Sequence, residues 1–231
     1  MIEEVKKKVY EILGKDNSGH GNDHISRVLK MSLKFSEKEK ANKDVVALIA
    51  LLHDVDDYKL VGEEQAKNLT NTKKILDEVE VDEQTKTHVL SELQSIGYSN
   101  LLKGNRPKTI EGQIVSDADM CDALGANGIL RIYSYGKKNN QEFFDKNVFP
   151  IIDIDAEQYT KKSTNTSCVC HMFEKILKLR RLMFTKTGKE EATYREKITV
   201  DFLYHLFDEE EAEDWKEYLD KFLKEEEKCQ H

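Results

Sequence analysis

The sequence predicts an all-α protein that folds as a single-domain helical bundle. Apolar residues recur with the 3.6-residue period of helices along most of the 231 residues. The alternating pattern of β-strands is nearly absent, and so are internal repeats. Together these features predict about ten helices in one domain that covers residues 1–231.

The composition narrows the class of protein. Apolar residues make up 39% of the chain, which suffices for a core and excludes disorder of the whole chain. Acidic residues (44) outnumber basic ones (36), and this balance argues against a protein that coats nucleic-acid polymers. The longest apolar run, Val45–Leu52, is too short to span a bilayer. We therefore expect a cytoplasmic protein with no membrane or nucleic-acid partner, as a monomer or a homodimer.

Three helices are predicted at the start of the chain. The first has one apolar face and ends at Gly14. The second covers residues 23–40. Asn42 is expected to cap a third helix that runs to Asp54. This third helix is apolar on every side, so it should be buried all round.

Helical patterns continue along the rest of the chain, in residues 62–80, 82–96, 114–132, 172–186 and 190–207. A loop rich in glycine separates the second and third of these segments. Residues 137–166 are polar and predict an irregular excursion or a lid. Residues 208–231 predict an acidic C-terminal helix.

Histidines and acids interrupt the apolar pattern in the first half of the chain. His20 and His24 are four residues apart, so both can lie on one side of the second helix. His53 and Asp54 end the apolar third helix. An ionised carboxylate is costly there unless it is paired or binds a cation.

Three acids, Asp117, Asp119 and Asp122, open a later apolar helix. Imidazole nitrogens and carboxylate oxygens together bind divalent first-row metals. A set of two imidazoles and two carboxylates leaves positions for water and substrate. A metal held in this way lowers the pKa of bound water and binds a phosphate oxygen, as phosphoester hydrolysis requires.

The order of these residues resembles the HD superfamily of metal-dependent phosphohydrolases, whose signature is H…HD…D on an all-helical bundle. The matching positions are His24 in His-Ile-Ser-Arg-Val, His53 and Asp54 in Leu-Leu-His-Asp-Val, and Asp119 in Asp-Ala-Asp-Met-Cys-Asp. Residues 171–175 and 183–195 also resemble one small bacterial branch of the family. The resemblance covers roughly residues 18–207.

The resemblance implies a set of metal ligands. His24, His53, Asp54 and Asp119 match the family's ligand positions. Asp117 is the alternative for the last ligand, and Asp119 is preferred because the family's final Asp usually follows an apolar or small residue. The implied cofactor is one divalent ion, with Mn²⁺, Mg²⁺, Ni²⁺, Fe²⁺ and Zn²⁺ all open.

Further roles are implied around the ligands. Asp57 matches a carboxylate that orients or deprotonates the attacking water, and Asp54 is assigned to catalysis together with it; the alternative for Asp57 is an acid that faces solvent. Candidate contacts to substrate phosphate are His20, Lys59, Arg131, His171 and Lys175. His20 can equally cap a turn, and Arg27 is expected to pair with a buried acid rather than with phosphate.

The chain departs from the family in two respects. Family members with two metals carry extra histidines between the HD pair and the last Asp, but only His88 lies in that interval here. The Arg that usually follows the last Asp is Met120. From the missing histidines we expect one metal ion rather than two, and from Met120 we expect that one partner for phosphate or carboxylate is missing.

The resemblance implies an enzyme that hydrolyses a phosphoester or phosphoanhydride of a small phosphorylated molecule. A nucleotide is the expected substrate, since the resembling branch includes cleavage of nucleoside triphosphates to monophosphate and pyrophosphate. The alternative is a non-catalytic nucleotide sensor with the same fold.

Overall fold

A computed structural model describes residues 1–14, 21–152 and 167–228, without the side chain of Lys59. Every regular element in these ranges is helical, and they contain no strand, which confirms the predicted all-α fold. The α-helices are α1 (Ile2–Leu13), α2 (Asn22–Glu39), α3 (Lys43–Leu52), α4 (Tyr58–Val61), α5 (Glu63–Asn68), α6 (Thr70–Glu78), α7 (Glu83–Leu93), α8 (Tyr98–Leu102), α9 (Ile110–Asp122), α10 (Gly125–Lys138), α11 (Cys168–Glu174), α12 (Lys186–Glu209) and α13 (Glu213–Lys228). A 3₁₀ helix covers Ile176–Leu182.

The chain divides into two compact units. The first contains residues 1–122 and 184–188, and the second contains residues 123–183 and 189–231. The single-domain organisation of residues 1–231 stays a prediction. In the described ranges, none of the helices combines the length and the apolar character that a membrane span requires.

Three predicted helices are broken in the structure. The segment 114–132 contains the end of α9 and the start of α10, so Asp117, Asp119 and Asp122 lie at the end of a helix, and the prediction that they open one was wrong. The segment 62–80 forms α5 and α6, which are separated at Leu69, where the backbone adopts a left-handed conformation with φ of 49°. The segment 172–186 contains the end of α11 and the 3₁₀ helix, and then turns to extended backbone at Met183. Periodicity could not reveal these breaks, because the apolar pattern continues across them.

Helix α3 forms the centre of the first unit. Residues 45–52 are all buried, as their apolar pattern predicts. The Asn42 side chain caps this helix by accepting hydrogen bonds from the backbone N–H groups of Asp44 and Val45. Helices α1, α2, α7 and α9 pack against α3. Helix α3 is therefore covered by other helices on several sides.

Residues 184–188 are anchored to the first unit by Asp117, whose side chain is completely buried. Its carboxylate accepts hydrogen bonds from the backbone N–H of Phe184 (2.9 Å) and from the backbone N–H (2.8 Å) and hydroxyl (2.7 Å) of Thr185. Gly188 packs so closely on Asp117 that a Cβ there would collide with the carboxylate. This acid therefore holds a distant segment of the chain against α9.

Replacing Asp117 with Ala should lower the free energy of unfolding by about 3 kcal/mol, because two buried N–H groups and a hydroxyl lose their acceptor. Urea titration of the metal-free protein measures the loss. The matched control is Asp119→Asn, two residues further along the same helix, which should be far less destabilising. Equal losses in the two variants would contradict the anchoring role.

Trp215 lies at the centre of the second unit and is completely buried. Aromatic rings surround it, contributed by Phe144, Phe149, Phe173, Phe207 and Tyr218. Its indole N–H donates to the backbone carbonyl of Lys146, so burial leaves this donor satisfied.

Residues 139–152 contain turns and no regular helix, and they pack on this aromatic cluster through Phe144 and Phe149. The rest of the predicted lid, 153–166, lies outside the described residues.

An ionic cluster joins three helices of the second unit. Glu196 of α12 pairs with Arg180 of the 3₁₀ helix, with 2.6 Å between Oε2 and Nε. Burial raises the pKa of Glu196 to about 7, because the nearby Arg180 only partly offsets it and Glu226 and Glu227 of α13 add to the rise.

The stability of the second unit should therefore decrease as the pH rises towards 7. Between the ordinary pKa of 4.5 and about 7, folded Glu196 keeps a proton that the unfolded chain has released. Raising the pH through this window should lower the free energy of unfolding by up to about 3 kcal/mol. Denaturant titrations from pH 4 to 8 test this, with Glu196→Gln expected to flatten the profile and the exposed Glu209→Gln as control. An unchanged profile in Glu196→Gln would refute the assignment.

Candidate metal centre

Three helices of the first unit bring the predicted ligands together. His24 lies in the first turn of α2, His53 caps the C-terminus of α3 and Asp54 follows it, and Asp119 lies near the end of α9. Helices α2, α3 and α9 pack against one another. The ends of these helices therefore place two imidazoles and two carboxylates in one small volume.

The distances between these side chains are short. His24 Nε2 lies 3.2 Å from His53 Nε2, 3.3 Å from Asp54 Oδ2 and 3.4 Å from Asp119 Oδ1. His53 Nε2 lies 3.6 Å from Asp54 Oδ2 and 3.9 Å from Asp119 Oδ1. The ligand atoms of His24, His53 and Asp119 all lie within 4.8 Å of one another.

These separations fit a single divalent ion. Ligand atoms about 2.0–2.2 Å from a shared ion lie roughly 3.0 Å apart at the edges of an octahedron and roughly 3.4 Å apart in a tetrahedron. The observed distances from His24 Nε2 lie in that range. The ligand atoms of His24, His53 and Asp119 thus lie close enough to share one ion, and Asp54 Oδ2 lies beside both histidines.

The hydrogen bonds of the other ring nitrogens determine which atoms face the centre. His53 Nδ1 lies 2.8 Å from the backbone carbonyl of Ala50, and His24 Nδ1 lies 2.7 Å from Asp122 Oδ2. A carbonyl and an ionised carboxylate only accept hydrogen bonds, so each neutral imidazole carries its proton on Nδ1. Both Nε2 lone pairs then point at the centre, where they repel each other unless a cation lies between them.

Asp119 and Asp122 are ionised. Burial by itself would raise the pKa of Asp119, but the two imidazoles beside its carboxylate outweigh burial, so the pKa is lower than usual. Burial also opposes ionisation of Asp122, but hydrogen bonds from His24 and Arg27 hold its pKa well below the usual range. The ionised carboxylate of Asp119, which faces the centre, is a hard ligand that favours a divalent cation.

Comparison with known proteins identifies the family. The sequence model of the HD domain matches residues 22–124, the part of the chain that contains all four predicted ligands. The chain is 33% identical to an HD-superfamily hydrolase from Bacillus thuringiensis, whose crystal structure superposes with a TM-score of 0.71 over 91% of this chain and 97% of that one. The chain belongs to the HD superfamily.

Other relatives cover nearly the whole chain. A structure from Lactobacillus plantarum superposes with a TM-score of 0.80 at 29% identity, over 91% of this chain and 97% of that one. YpgQ from Bacillus subtilis is 28% identical over 211 residues, which are 88% of this chain and 91% of YpgQ. The structure of YpgQ in complex with ADP superposes with a TM-score of 0.71 at 24% identity, over 90% of this chain and 97% of that one.

The two candidates for the last HD ligand have different surroundings. The Asp117 oxygens accept hydrogen bonds from Phe184 and Thr185, whereas Asp119 faces both histidines. This geometry favours Asp119 as the ligand. The sequence alone could not separate the two acids, since it does not reveal which of them contacts residues 184–185.

Asp57 lies close to the HD dipeptide along the chain. Its backbone N–H donates to the carbonyl of Asp54 (3.1 Å), and its own carbonyl accepts from Leu60 and Val61 in α4. Its side chain is half-buried. The turn therefore fixes the backbone of Asp57 close after the HD dipeptide, and its role with water stays a prediction.

The predicted substrate contacts are not gathered in the described part of the first unit. His20 lies outside the described residues, and so does the side chain of Lys59 in α4. Arg131 in α10, His171 in α11 and Lys175 just after α11 belong to the second unit. Their contacts with phosphate stay predictions.

Asp122 is the residue of the centre for which sequence reasoning assigned no specific role. It is completely buried and contacts both His24 and Arg27. The sequence signals were an Arg on the helix of His24, expected to pair with a buried acid, and a third acid in the segment after Asp117. The structure shows that these two signals belong to one ion pair.

Proposed function

We propose that this HD protein is a metal-dependent phosphohydrolase of a small phosphorylated molecule, with a nucleotide as the substrate. The observation that carries the proposal is the convergence of His24, His53, Asp54 and Asp119, with both imidazole lone pairs directed inward. Solved relatives described as HD-superfamily hydrolases support hydrolysis as the type of reaction.

His24, His53, Asp54 and Asp119 would hold one divalent cation, with the Nε2 atoms of the histidines and the carboxylates of the acids as donors. A bound divalent cation lowers the pKa of a water ligand and stabilises charge on a phosphoryl oxygen. Two neutral and two anionic ligands leave the ion without excess positive charge, so nearby cationic side chains are needed for a polyphosphate. Manganese is the first ion to test.

Asp57 is proposed to orient the attacking water and to accept its proton. The backbone N–H of Asp57 donates to the carbonyl of Asp54, so Asp57 belongs to the turn that directly follows a proposed ligand. A general base must reach the water that it deprotonates. Lys59, His20, Arg131, His171 and Lys175 are proposed to balance phosphate charge. Asp54 serves the reaction as a ligand, by fixing the position of the ion.

A nucleotide is the favoured class of substrate. YpgQ, a relative that covers nearly the whole chain, is described in complex with ADP. The proposed reaction is cleavage of a nucleoside triphosphate to monophosphate and pyrophosphate. Products identified by mass spectrometry distinguish this cut from release of inorganic phosphate.

Replacing Asp54 or Asp119 with Asn should abolish hydrolysis, because each change removes an anionic ligand. With Mn²⁺ and a panel of nucleotides, release of phosphate or pyrophosphate should decrease by more than about 100-fold, which exceeds the typical effect of residues that only support ligands. The exposed Glu83→Gln is the control. Hydrolysis that persists in Asp54→Asn and in Asp119→Asn would refute the mechanism. Wild-type protein that binds the metal but hydrolyses no nucleotide would favour a nucleotide sensor.

Asp57→Asn should separate catalysis from metal binding. If Asp57 accepts a proton from water, kcat should decrease by roughly 10²–10⁴-fold, while the affinity for Mn²⁺ is unchanged. Steady-state kinetics at saturating Mn²⁺ and isothermal titration calorimetry measure the two quantities. A lower affinity for Mn²⁺ with kcat preserved would instead make Asp57 a ligand or a structural acid.

A further inference from the structure

The Asp122 carboxylate binds two side chains of α2 in the interior of the first unit. Its Oδ2 accepts from His24 Nδ1 (2.7 Å) and from Arg27 Nη2 (2.9 Å), and its Oδ1 accepts from Arg27 Nε (2.7 Å). The carboxylate is completely buried, whereas the Arg27 side chain is 35% exposed. The pair thus extends from the surface of α2 to the back of a proposed metal ligand.

We propose that Asp122 is a positioning residue that holds His24 in the tautomer and orientation needed to bind the metal, and that Arg27 fixes Asp122 for this task. The proposal rests on the proposed function only in taking His24 as a ligand. A carboxylate paired with a guanidinium has no proton to donate, so Nδ1 must carry the proton. Nε2 then keeps its lone pair for the metal.

Arg27 suits this role because its guanidinium is a planar fork. Two of its N–H groups donate to the two oxygens of Asp122. This pairing fixes the rotation of the carboxylate about the Cβ–Cγ bond. Rotation fixed in this way keeps Oδ2 in line with His24 Nδ1. Arg27 follows His24 by three residues on α2, so one helix face supplies both groups that contact Asp122.

The two histidines differ in what supports them. His53 Nδ1 uses the backbone carbonyl of Ala50, which lies in its own helix and is present whatever the side chains. His24 Nδ1 depends on a side chain of another helix. The support of His24 can therefore be removed by substitution, whereas that of His53 cannot.

An amide at position 122 cannot replace the carboxylate. If the amide oxygen faces His24, the NH₂ group faces the Nε–H of Arg27, and two donors oppose each other. If the amide is reversed, its NH₂ group faces His24 Nδ1 and favours a proton on Nε2, the atom that should bind the metal. Either arrangement weakens the centre, so Asp122→Asn is a sharp test.

The experiment measures Mn²⁺ affinity, by calorimetry and by electron paramagnetic resonance, in the full-length wild type and in Asp122→Asn and Arg27→Lys. We expect Asp122→Asn to bind Mn²⁺ about 10–100-fold more weakly, and Arg27→Lys to show a smaller loss in the same direction, because ammonium cannot bridge both oxygens. Arg27→Lys retains the carboxylate and its charge partner, so it tests the proposal even if Asp122→Asn fails to fold.

A second measurement separates positioning from simple stabilisation. Two-dimensional ¹H–¹⁵N correlation of the imidazoles, at a pH where they are neutral, should show the His24 proton on Nδ1 in the wild type and a population on Nε2 in Asp122→Asn. The control is Glu92→Gln, which alters another buried carboxylate of this unit that accepts from the backbone of Lys108. This control should lose stability but keep its Mn²⁺ affinity and its His24 tautomer.

The possible results distinguish two failures. Wild-type protein that does not bind Mn²⁺ would overturn the proposed function. Wild-type binding together with unchanged affinity and an unchanged Nδ1 proton in Asp122→Asn would overturn the positioning role and leave the proposed function intact. Equal losses of Mn²⁺ affinity in Glu92→Gln and Asp122→Asn would also overturn it, since a general loss of stability would then explain both.

Discussion

The proposed chemistry depends on the packing of α2, α3 and α9, which gathers two imidazole lone pairs and two carboxylates around one point. Such an arrangement is unfavourable without a positive charge at its centre, because lone pairs and anions repel and burial weakens screening by water. The buried helix α3 enforces the geometry: since all of residues 45–52 are covered, His53 and Asp54 cannot turn away into solvent without disturbing the core. The packing of the helices thus keeps the imidazoles and carboxylates together although they repel one another.

The other buried acids of the first unit differ from the proposed ligand Asp119 in their hydrogen-bond partners. Asp56 accepts hydrogen bonds from the backbone N–H groups of Asn71 and Thr72, and Asp117 accepts from those of Phe184 and Thr185. Asp119 instead faces the two histidines. Backbone donors already pair the carboxylates of Asp56 and Asp117 within the fold, so hydrogen-bond partners separate these acids from Asp119 more clearly than burial does.

Much of this organisation could be predicted from the sequence. Helical periodicity indicated the all-α fold, and the all-round apolar pattern of residues 45–52 indicated the buried helix. The order of His24, His53, Asp54 and Asp119 indicated the family. Histidines and acids that interrupt apolar segments stand out in the sequence, and their order matches the family signature even though they are far apart along the chain. The breaks at Leu69, between α9 and α10, and after α11 were not predicted, because they depend on backbone conformation and tertiary packing. The role of Asp122 also required coordinates, since its partners lie 95 and 98 residues away.

The unequal support of the two histidines has a consequence for how such a centre can be tuned. A carboxylate behind an imidazole makes the ring a more basic and more strongly binding ligand than a carbonyl does. His24, backed by Asp122, should therefore be the stronger nitrogen ligand, and His53, backed by Ala50, the weaker one. Substitution at Arg27 or Asp122 can adjust metal affinity without touching any ligand. The support of His53 is part of the backbone of α3, so side-chain substitution cannot remove it. The Arg27–Asp122 pair is made of side chains, and substitution there should change metal affinity while the four proposed ligands stay in place.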